Sequence, residues 1–152
     1  MTDSRAATEF LYHRRVEFAD TDTANVIHFS AFFRYMEEAE HAFYRSLGGL
    51  AFEWREDGVV GMPRVAASCD FLAPVRYGDE LMVRLIVREV RNKAIRYAVE
   101  FERAGPEEDR VVARGTMTVV YAERAHGERD WRGAPLPDDL RAKLAPAPEE
   151  SG

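Results

Sequence analysis

The chain has 152 residues and a formal net charge of −6, with 27 acidic and 21 basic residues. Hydrophobic residues make up 46% of it and charged residues 32%, which is typical of one soluble domain rather than of a disordered chain. The acidic balance argues against nucleic acid as a partner. No apolar segment is long enough to cross a membrane or to act as a secretory signal, and the single cysteine, Cys69, fits a reducing compartment. We therefore predict a cytoplasmic protein with no membrane partner.

The first predicted elements are a strand and a long helix. Apolar and polar residues alternate over residues 10–18, which predicts a half-buried strand that reaches Phe18. From Ser30 to Leu47, apolar residues recur at steps of three and four and therefore lie along one face of a helix. Ser30 is the predicted N-cap, and Gly48 begins the predicted stop. The opposite face of the helix is available to water or to a partner.

The rest of the chain mainly predicts strands. Period-two alternation and the last apolar run indicate four of them: residues 65–71, 81–87, 95–101 and 110–121. The short links at 91–93 and 104–109 are typical of hairpin turns. The order β-α-β-β-β-β predicts an α+β domain over residues 1–132, in which one antiparallel five-stranded sheet is covered by one long helix.

The C-terminal segment differs in composition from this domain. Residues 133–152 hold four of the seven prolines of the chain. We predict a tail that is partly ordered at most, with one helical turn at 138–144.

Two aspartates lie in the polar loop that joins the first strand to the helix. Asp20 and Asp22 precede a helix N-terminus, which offers unpaired backbone N–H groups and the positive end of the helix dipole. A carboxylate beside such donors suits acyl transfer, because it can act as nucleophile or base while an N–H binds the carbonyl oxygen. The alternative is that the aspartates only shape the turn or cap the helix, and the local pattern leaves both possibilities open.

No metal or cofactor site is predicted. A calcium loop starting at Asp20 would need ligands or glycine where the chain has Ala24, Asn25 and Ala31, so an EF-hand is excluded. The sequence has no His-Glu-x-x-His motif for zinc and no glycine-rich phosphate or dinucleotide loop. Cys69 lies in the apolar alternation of a strand, which favours a core residue over a nucleophile.

Residues 16–29, Val-Glu-Phe-Ala-Asp-Thr-Asp-Thr-Ala-Asn-Val-Ile-His-Phe, resemble the 4-hydroxybenzoyl-CoA thioesterase family. That family has an aromatic residue at the strand end, then Asp-x-Asp-x-x-Gly and two aliphatic residues before a long helix. Gly-Met-Pro-Arg-Val at 61–65, Ala-Pro-Val-Arg-Tyr-Gly-Asp-Glu-Leu at 73–81 and Leu-Pro-Asp-Asp-Leu at 136–140 extend the resemblance. Asn25 stands where the family usually has glycine, and asparagine tolerates a positive φ best after glycine.

The resemblance implies a hotdog fold and hydrolysis of an acyl-CoA to the free acid and CoA, without a cofactor. It implies that Asp22 is the catalytic carboxylate, as nucleophile or general base, and that the backbone N–H of Phe29 binds the thioester carbonyl. Family members are homodimers or homotetramers (dimers of dimers) whose active sites lie between subunits. A hotdog hydratase or dehydratase and a non-catalytic acyl-CoA-binding module are the alternatives, and the acyl group and its carrier are left open.

Further residues are expected to contact the acyl-CoA. Four of them lie in the loop or on the helix and are expected to bind the substrate: Asn25, His28, Ser30 and Glu37. His28 could instead only support the loop, and the resemblance places Glu37 toward the active site of a partner subunit. Three basic residues are expected at the CoA phosphates: Lys93, which matches a basic position of the family, and also Arg91 and Arg64. A local basic rim is sufficient for an anionic ligand, because repulsion by distant charges is screened beyond about 8–10 Å at physiological salt.

Overall fold

A computed structural model of the chain describes residues 6–49, 52–105 and 110–149. The strands within these ranges are β1 (Glu9–Arg15), β2 (Phe52–Arg55), β3 (Gly58–Gly61), β4 (Arg64–Phe71), β5 (Glu80–Val90), β6 (Ala94–Arg103), β7 (Val111–Val120), β8 (Ala122–Ala125) and β9 (Arg132–Gly133). The helices are α1 (Phe29–Ser46) and α2 (Asp138–Ala142). Neither helix is long and apolar enough to cross a membrane.

Five strands form the predicted antiparallel sheet, in the order β1-β5-β6-β7-β4. Successive side chains of a strand point to opposite faces, so the alternating apolar residues of β5 and β6 all point to one side of this sheet. That side is buried against α1, and Leu85, Tyr97 and Phe101 lie at its centre. The prediction of one five-stranded sheet covered by one long helix is confirmed.

Helix α1 begins one residue earlier than predicted. His28, not Ser30, is the N-cap: its backbone is extended, and its Nδ1 accepts a hydrogen bond from the Ser30 N–H at 3.2 Å. Ser30 is therefore the second helical residue. The predicted apolar stripe is buried, and Gly48 follows the helix with a positive φ of 83°, as expected for a stop.

Strand β1 ends at Arg15, three residues before the predicted end. The next residues form a 3-10 turn over Phe18–Asp20, closed by the Glu17 N–H, which donates to the Asp20 carboxylate at 3.0 Å. The turn directs Phe18 into solvent, where its side chain is 78% exposed. The alternation of apolar and polar residues continues past the end of β1, because Val16, the residue after the strand, is fully buried. The prediction that Phe18 lies on a strand face is wrong.

A second sheet was not predicted. It has the order β2-β3-β8-β9, and its strands are only two to four residues long. A run such as Gly58–Gly61 is buried throughout and is too short to show alternation, which is why the sequence pattern did not reveal it.

Strand β4 lies at the edge of the main sheet, and most of its residues are exposed within the protomer. Val65 is 61% exposed and Phe71 49% exposed, although both belong to the apolar alternation. Cys69 is half-buried and packs against the main core, and burial raises the pKa of its thiol to about 11. A thiol with this pKa is protonated at neutral pH, which agrees with a packing role.

The described part of the C-terminal segment packs on the domain. Leu136 and Leu144 are buried in the main core, and α2 lies within the stretch where one helical turn was predicted. A parallel bridge joins Leu144 to Ala7 at the other end of the chain. The division of the chain at residue 132 stays a prediction, but these contacts connect the two sides of it.

Candidate active site

The loop between β1 and α1 folds back on itself. The Asp22 N–H donates to the Val26 carbonyl at 2.9 Å, and the His28 N–H donates to the Asp20 carbonyl at 2.8 Å. Asn25 closes the turn with a φ of 61°, in the left-handed region that glycine and asparagine adopt most easily. The loop therefore returns the chain beside Asp22 immediately before α1 begins.

The two aspartates of the loop have different environments, and Asp20 is the buried one. Its carboxylate accepts hydrogen bonds from the Tyr35 hydroxyl at 2.7 Å and the Glu17 N–H at 3.0 Å, and ion pairs with Arg34 at 2.9 Å and Arg14 at 3.2 Å. Burial alone would raise the pKa of Asp20, but these donors together hold it below the usual range. Both carboxylate oxygens are bonded within the protein and Asp20 is buried, so it organises the loop and is not accessible to a substrate.

Asp22 has the opposite character. It is exposed, and its Oδ1 accepts a hydrogen bond from the Ala24 N–H at 2.8 Å, which forms an Asx turn. No other described residue makes a hydrogen bond or an ion pair with this carboxylate. Its second oxygen is therefore available to a ligand.

The first amide of α1 is also available. Phe29 is the first helical residue, and the first N–H groups of a helix have no partner within the helix. His28 satisfies the next amide, that of Ser30, whereas no residue of the described ranges accepts from the Phe29 N–H. The positive end of the helix dipole reinforces this donor. His28 thus caps the helix next to the site through Ser30, and the centre of its imidazole lies 4.6 Å from that of the Phe29 ring.

An apolar groove of about 310 Å³ opens beside Phe29. Its walls come from the end of the loop, from Phe29 and Phe32 on α1, and from residues 71–75, which are the last residue of β4 and the segment after it. Every lining residue is apolar, so the groove can bury hydrocarbon but offers no side-chain charge.

Two predicted substrate residues contact each other. The Arg64 guanidinium lies 3.3 Å from the Glu37 carboxylate and 2.7 Å from that of Glu40. Glu40 is only 1% exposed and also accepts from the Tyr44 hydroxyl at 2.9 Å. Burial raises the pKa of Glu40 to about 7, although the charge of Arg64 and the hydrogen bond from Tyr44 oppose this rise.

Glu40 was missed by the sequence reasoning, although a signal was present. It lies four residues after Met36, on the apolar stripe of α1, where a carboxylate must be buried. Because Glu40 and Glu37 hold Arg64, its guanidinium is less available to CoA than its sequence position indicated.

The other two basic candidates lie far from Asp22 within the chain. The loop of Asp22 is tied to the chain just before β5, where the Ile27 N–H donates to the Val75 carbonyl at 2.7 Å. Arg91 and Lys93 follow the far end of β5, whose 11 residues extend over about 35 Å. The fold of a single chain does not bring these two groups of predicted site residues together.

Comparison with known proteins agrees with the resemblance. Residues 16–144 match the sequence profile of the Thioesterase-like superfamily. The chain is 33% identical over 138 residues to a 1,4-dihydroxy-2-naphthoyl-CoA hydrolase of Synechocystis sp., with 89% of this chain and 94% of the relative covered. It is 28% identical over 138 residues to the 4-hydroxybenzoyl-CoA thioesterase of Pseudomonas sp., with 88% and 95% covered.

Solved structures show the same fold. A gentisyl-coenzyme A thioesterase superposes with a TM-score of 0.73 at 29% identity, covering 90% of this chain and all of the other. A 4-hydroxybenzoyl-CoA thioesterase mutant in complex with 4-hydroxybenzoyl-CoA superposes with a TM-score of 0.78 at 22% identity, covering 91% of this chain and 100% of the other. The predicted hotdog fold is confirmed.

Proposed function

The chain belongs to the Thioesterase-like superfamily and is an acyl-CoA thioesterase of the hotdog fold, and we propose that Asp22 is its catalytic carboxylate. One observation carries this proposal: a single folded loop presents an exposed carboxylate at Asp22 and leads directly to the unpaired N–H of Phe29. These are the two groups that thioester hydrolysis requires, a nucleophile or base and a donor for the developing oxyanion.

The proposed reaction begins when the thioester carbonyl accepts a hydrogen bond from the Phe29 N–H. A carboxylate oxygen of Asp22 attacks the carbonyl carbon, the C–S bond breaks, and CoA leaves as the thiolate. Water then hydrolyses the mixed anhydride, which releases the acid and restores the carboxylate. In the general-base alternative, Asp22 accepts the proton of the attacking water.

We place the acyl group in the apolar groove beside Phe29. The groove shares this residue with the proposed oxyanion site, so an acyl group seated there has its carbonyl near the N–H. Its uniformly apolar walls favour an aromatic or aliphatic acyl group without charge. Asn25 and His28, exposed at the mouth of the loop, are proposed to contact the substrate beyond the carbonyl.

We also propose that the enzyme works as a homodimer or homotetramer. Strand β4 is an edge strand with exposed apolar side chains, and such an edge pairs readily with a second copy of itself. We propose that Lys93 and the exposed turn that carries it, residues 91–93, meet the phosphates of CoA. The separation of Lys93 from Asp22 along β5 supports a site that is completed by another subunit. In this arrangement Glu37, exposed on α1, faces a neighbouring protomer.

Replacement of Asp22 by Asn tests the proposal. D22N should lose release of free thiol from benzoyl-CoA while its melting temperature stays that of the wild type, because Asp22 is exposed. D130N, which changes an exposed carboxylate in another loop, is the matched control and should keep wild-type kcat. A D22N enzyme with wild-type kcat would contradict the assignment.

A single turnover in heavy-oxygen water tests for the nucleophilic route. Water that attacks the Asp22 carbon of the anhydride leaves its label in the Asp22 carboxylate, so label found there establishes Asp22 as the nucleophile, whereas attack on the acyl carbon labels only the released acid. If Asp22 is the base, the label enters only the released acid. The same assay of thiol release, run with a panel of acyl-CoAs, tests the alternatives. A change in double-bond absorbance without thiol release would indicate a hydratase or dehydratase instead.

A further inference from the structure

The β5–β6 turn, residues 91–93, is held by the C-terminal segment. The guanidinium of Arg141 in α2 donates to two carbonyl oxygens of this turn, that of Arg91 at 2.7 Å and that of Asn92 at 2.9 Å. Such bonds from a charged donor are stronger than bonds between neutral groups. A single side chain therefore fixes two successive peptide units of the turn.

Two backbone amides complete this arrangement. The Leu136 N–H donates to the Asn92 carbonyl at 2.9 Å, and the Tyr121 N–H donates to the Lys93 carbonyl at 2.8 Å. Each carbonyl of residues 91–93 thus accepts at least one hydrogen bond from the chain that follows β6. The negative ends of these peptide dipoles point into the protein.

Two of the three backbone donors of the same turn are unpaired among the described residues. The Arg91 N–H donates to the Ala94 carbonyl at 2.8 Å, whereas the N–H groups of Asn92 and Lys93 donate to no residue in the part of the chain that the structure describes. Both residues are exposed, and Lys93 adds its ammonium group. Successive free amides beside a cation are donors that suit an anion.

We propose that Arg141 is a positioning residue for the phosphates of CoA. It binds the carbonyls of the turn so that the amides of Asn92 and Lys93, together with the Lys93 ammonium, face a phosphate group. The proposal rests on the proposed function, in which this turn meets CoA. Arg91 contributes less, because its guanidinium is paired with Glu89 at 2.9 Å.

The role of Arg141 is one of orientation rather than of contact. Without it, the Arg91 carbonyl loses its charged donor, and the peptide unit that also carries the Asn92 N–H can rotate and present its oxygen to the ligand, whereas the Asn92 carbonyl keeps the Leu136 N–H. A carbonyl oxygen repels phosphate, so the affinity for CoA phosphates should fall while the thioester chemistry at Asp22 is unaffected.

Calorimetric titration with adenosine 3′,5′-bisphosphate tests the proposal without using the reaction. We expect R141A to raise the Kd for the bisphosphate by about five- to tenfold, because loss of one charge-assisted hydrogen-bonding group has an effect of this size. R141K keeps the charge and one donor, and it should recover part of the affinity. K143A is the matched control: Lys143 is in the same segment, but its ammonium donates to the Leu47 carbonyl at 2.7 Å, away from the turn.

Kinetics with two substrates separate positioning from loss of structure. R141A should raise KM for benzoyl-CoA with kcat unchanged, and leave KM for S-benzoyl-pantetheine, which lacks the nucleotide phosphates, as in the wild type. An equal rise for both substrates, or a bisphosphate Kd equal to that of the wild type, would overturn the role of Arg141.

The premise is tested separately by Lys93. If K93A binds the bisphosphate as tightly as the wild type, the turn is not the phosphate site and that part of the proposed function fails. If K93A weakens binding and R141A does not, only the inference on Arg141 fails.

Discussion

Removal of one hydrogen, the amide hydrogen of Phe29, is the most direct perturbation of the proposed chemistry. Proline has no backbone N–H, and the first helical position is where a helix tolerates proline best. Phe29 occupies that position in α1. A proline also requires an extended residue before it, and His28 already has φ −70° and ψ 136°. F29P therefore deletes the donor with little change to the backbone.

The expected loss can be worked out from the site. Loss of one oxyanion donor costs about 2.7–4 kcal/mol in the transition state, or about 10²–10³ in kcat. The fold should be little affected, because no described residue accepts a hydrogen bond from this N–H and the Phe29 ring is 59% exposed. F29A is the control, since it removes the same ring from the groove and keeps the N–H.

The measurement is thiol release from benzoyl-CoA by F29P and F29A, with melting temperatures recorded for both. We expect F29A to lose part of its affinity for the acyl group and F29P to lose a further factor of about 10²–10³ in kcat. Equal kcat values for the two folded variants would refute the assignment of this amide as the oxyanion donor.

Three other predictions concern stability and assembly. Asp20→Asn should lower the free energy of unfolding by about 3 kcal/mol, measured with urea at pH 7, because it removes a buried charge that pairs with Arg14 and Arg34. Since the pKa of Asp20 is held below its usual value, this difference from the wild type should shrink as the pH falls below about 4; a constant difference would contradict the ion pairs. For Glu40 the pH dependence is expected to be opposite, because its pKa is raised to about 7 and the folded state therefore holds this proton more tightly than the unfolded state. The free energy of unfolding of the wild type, relative to that of Glu40→Gln, should decline from about pH 4.5 to pH 7 and then level off. A pH-independent difference would show that Glu40 is not the titrating group. Val65→Glu should convert the oligomer to monomers in sedimentation experiments, because it places a charge on the exposed edge strand β4; an unchanged mass would exclude this edge as the interface.

The pattern of the sequence was informative wherever a segment was long enough to show a period. The helix predicted from residue 30 to 47 is present as Phe29–Ser46, and each of the four later predicted strands lies within an observed strand or overlaps one. Asn25 was predicted to tolerate a positive φ and has a φ of 61°. These features are local, because side-chain period and turn chemistry depend on neighbours in the sequence.

The two aspartates show where local pattern was insufficient. The sequence places Asp20 and Asp22 two residues apart with similar prospects, and the resemblance alone selected Asp22. The structure separates them because Arg34 and Tyr35, about fifteen residues further along the chain, reach back to Asp20 and bury its carboxylate. No pattern within the loop contains that information.

By itself, then, the sequence determined the helix, the main sheet, the loop that carries the candidate site and the family to which they belong. Only the tertiary structure decided which aspartate is free, that Glu37 and Glu40 hold Arg64, and that Lys93 lies at the far end of β5 from Asp22. It also connected Arg141 to a turn that lies about fifty residues earlier. The reason is physical: periodicity reports which way a side chain points, whereas pairing between charges and donors depends on which distant segments the fold brings into contact.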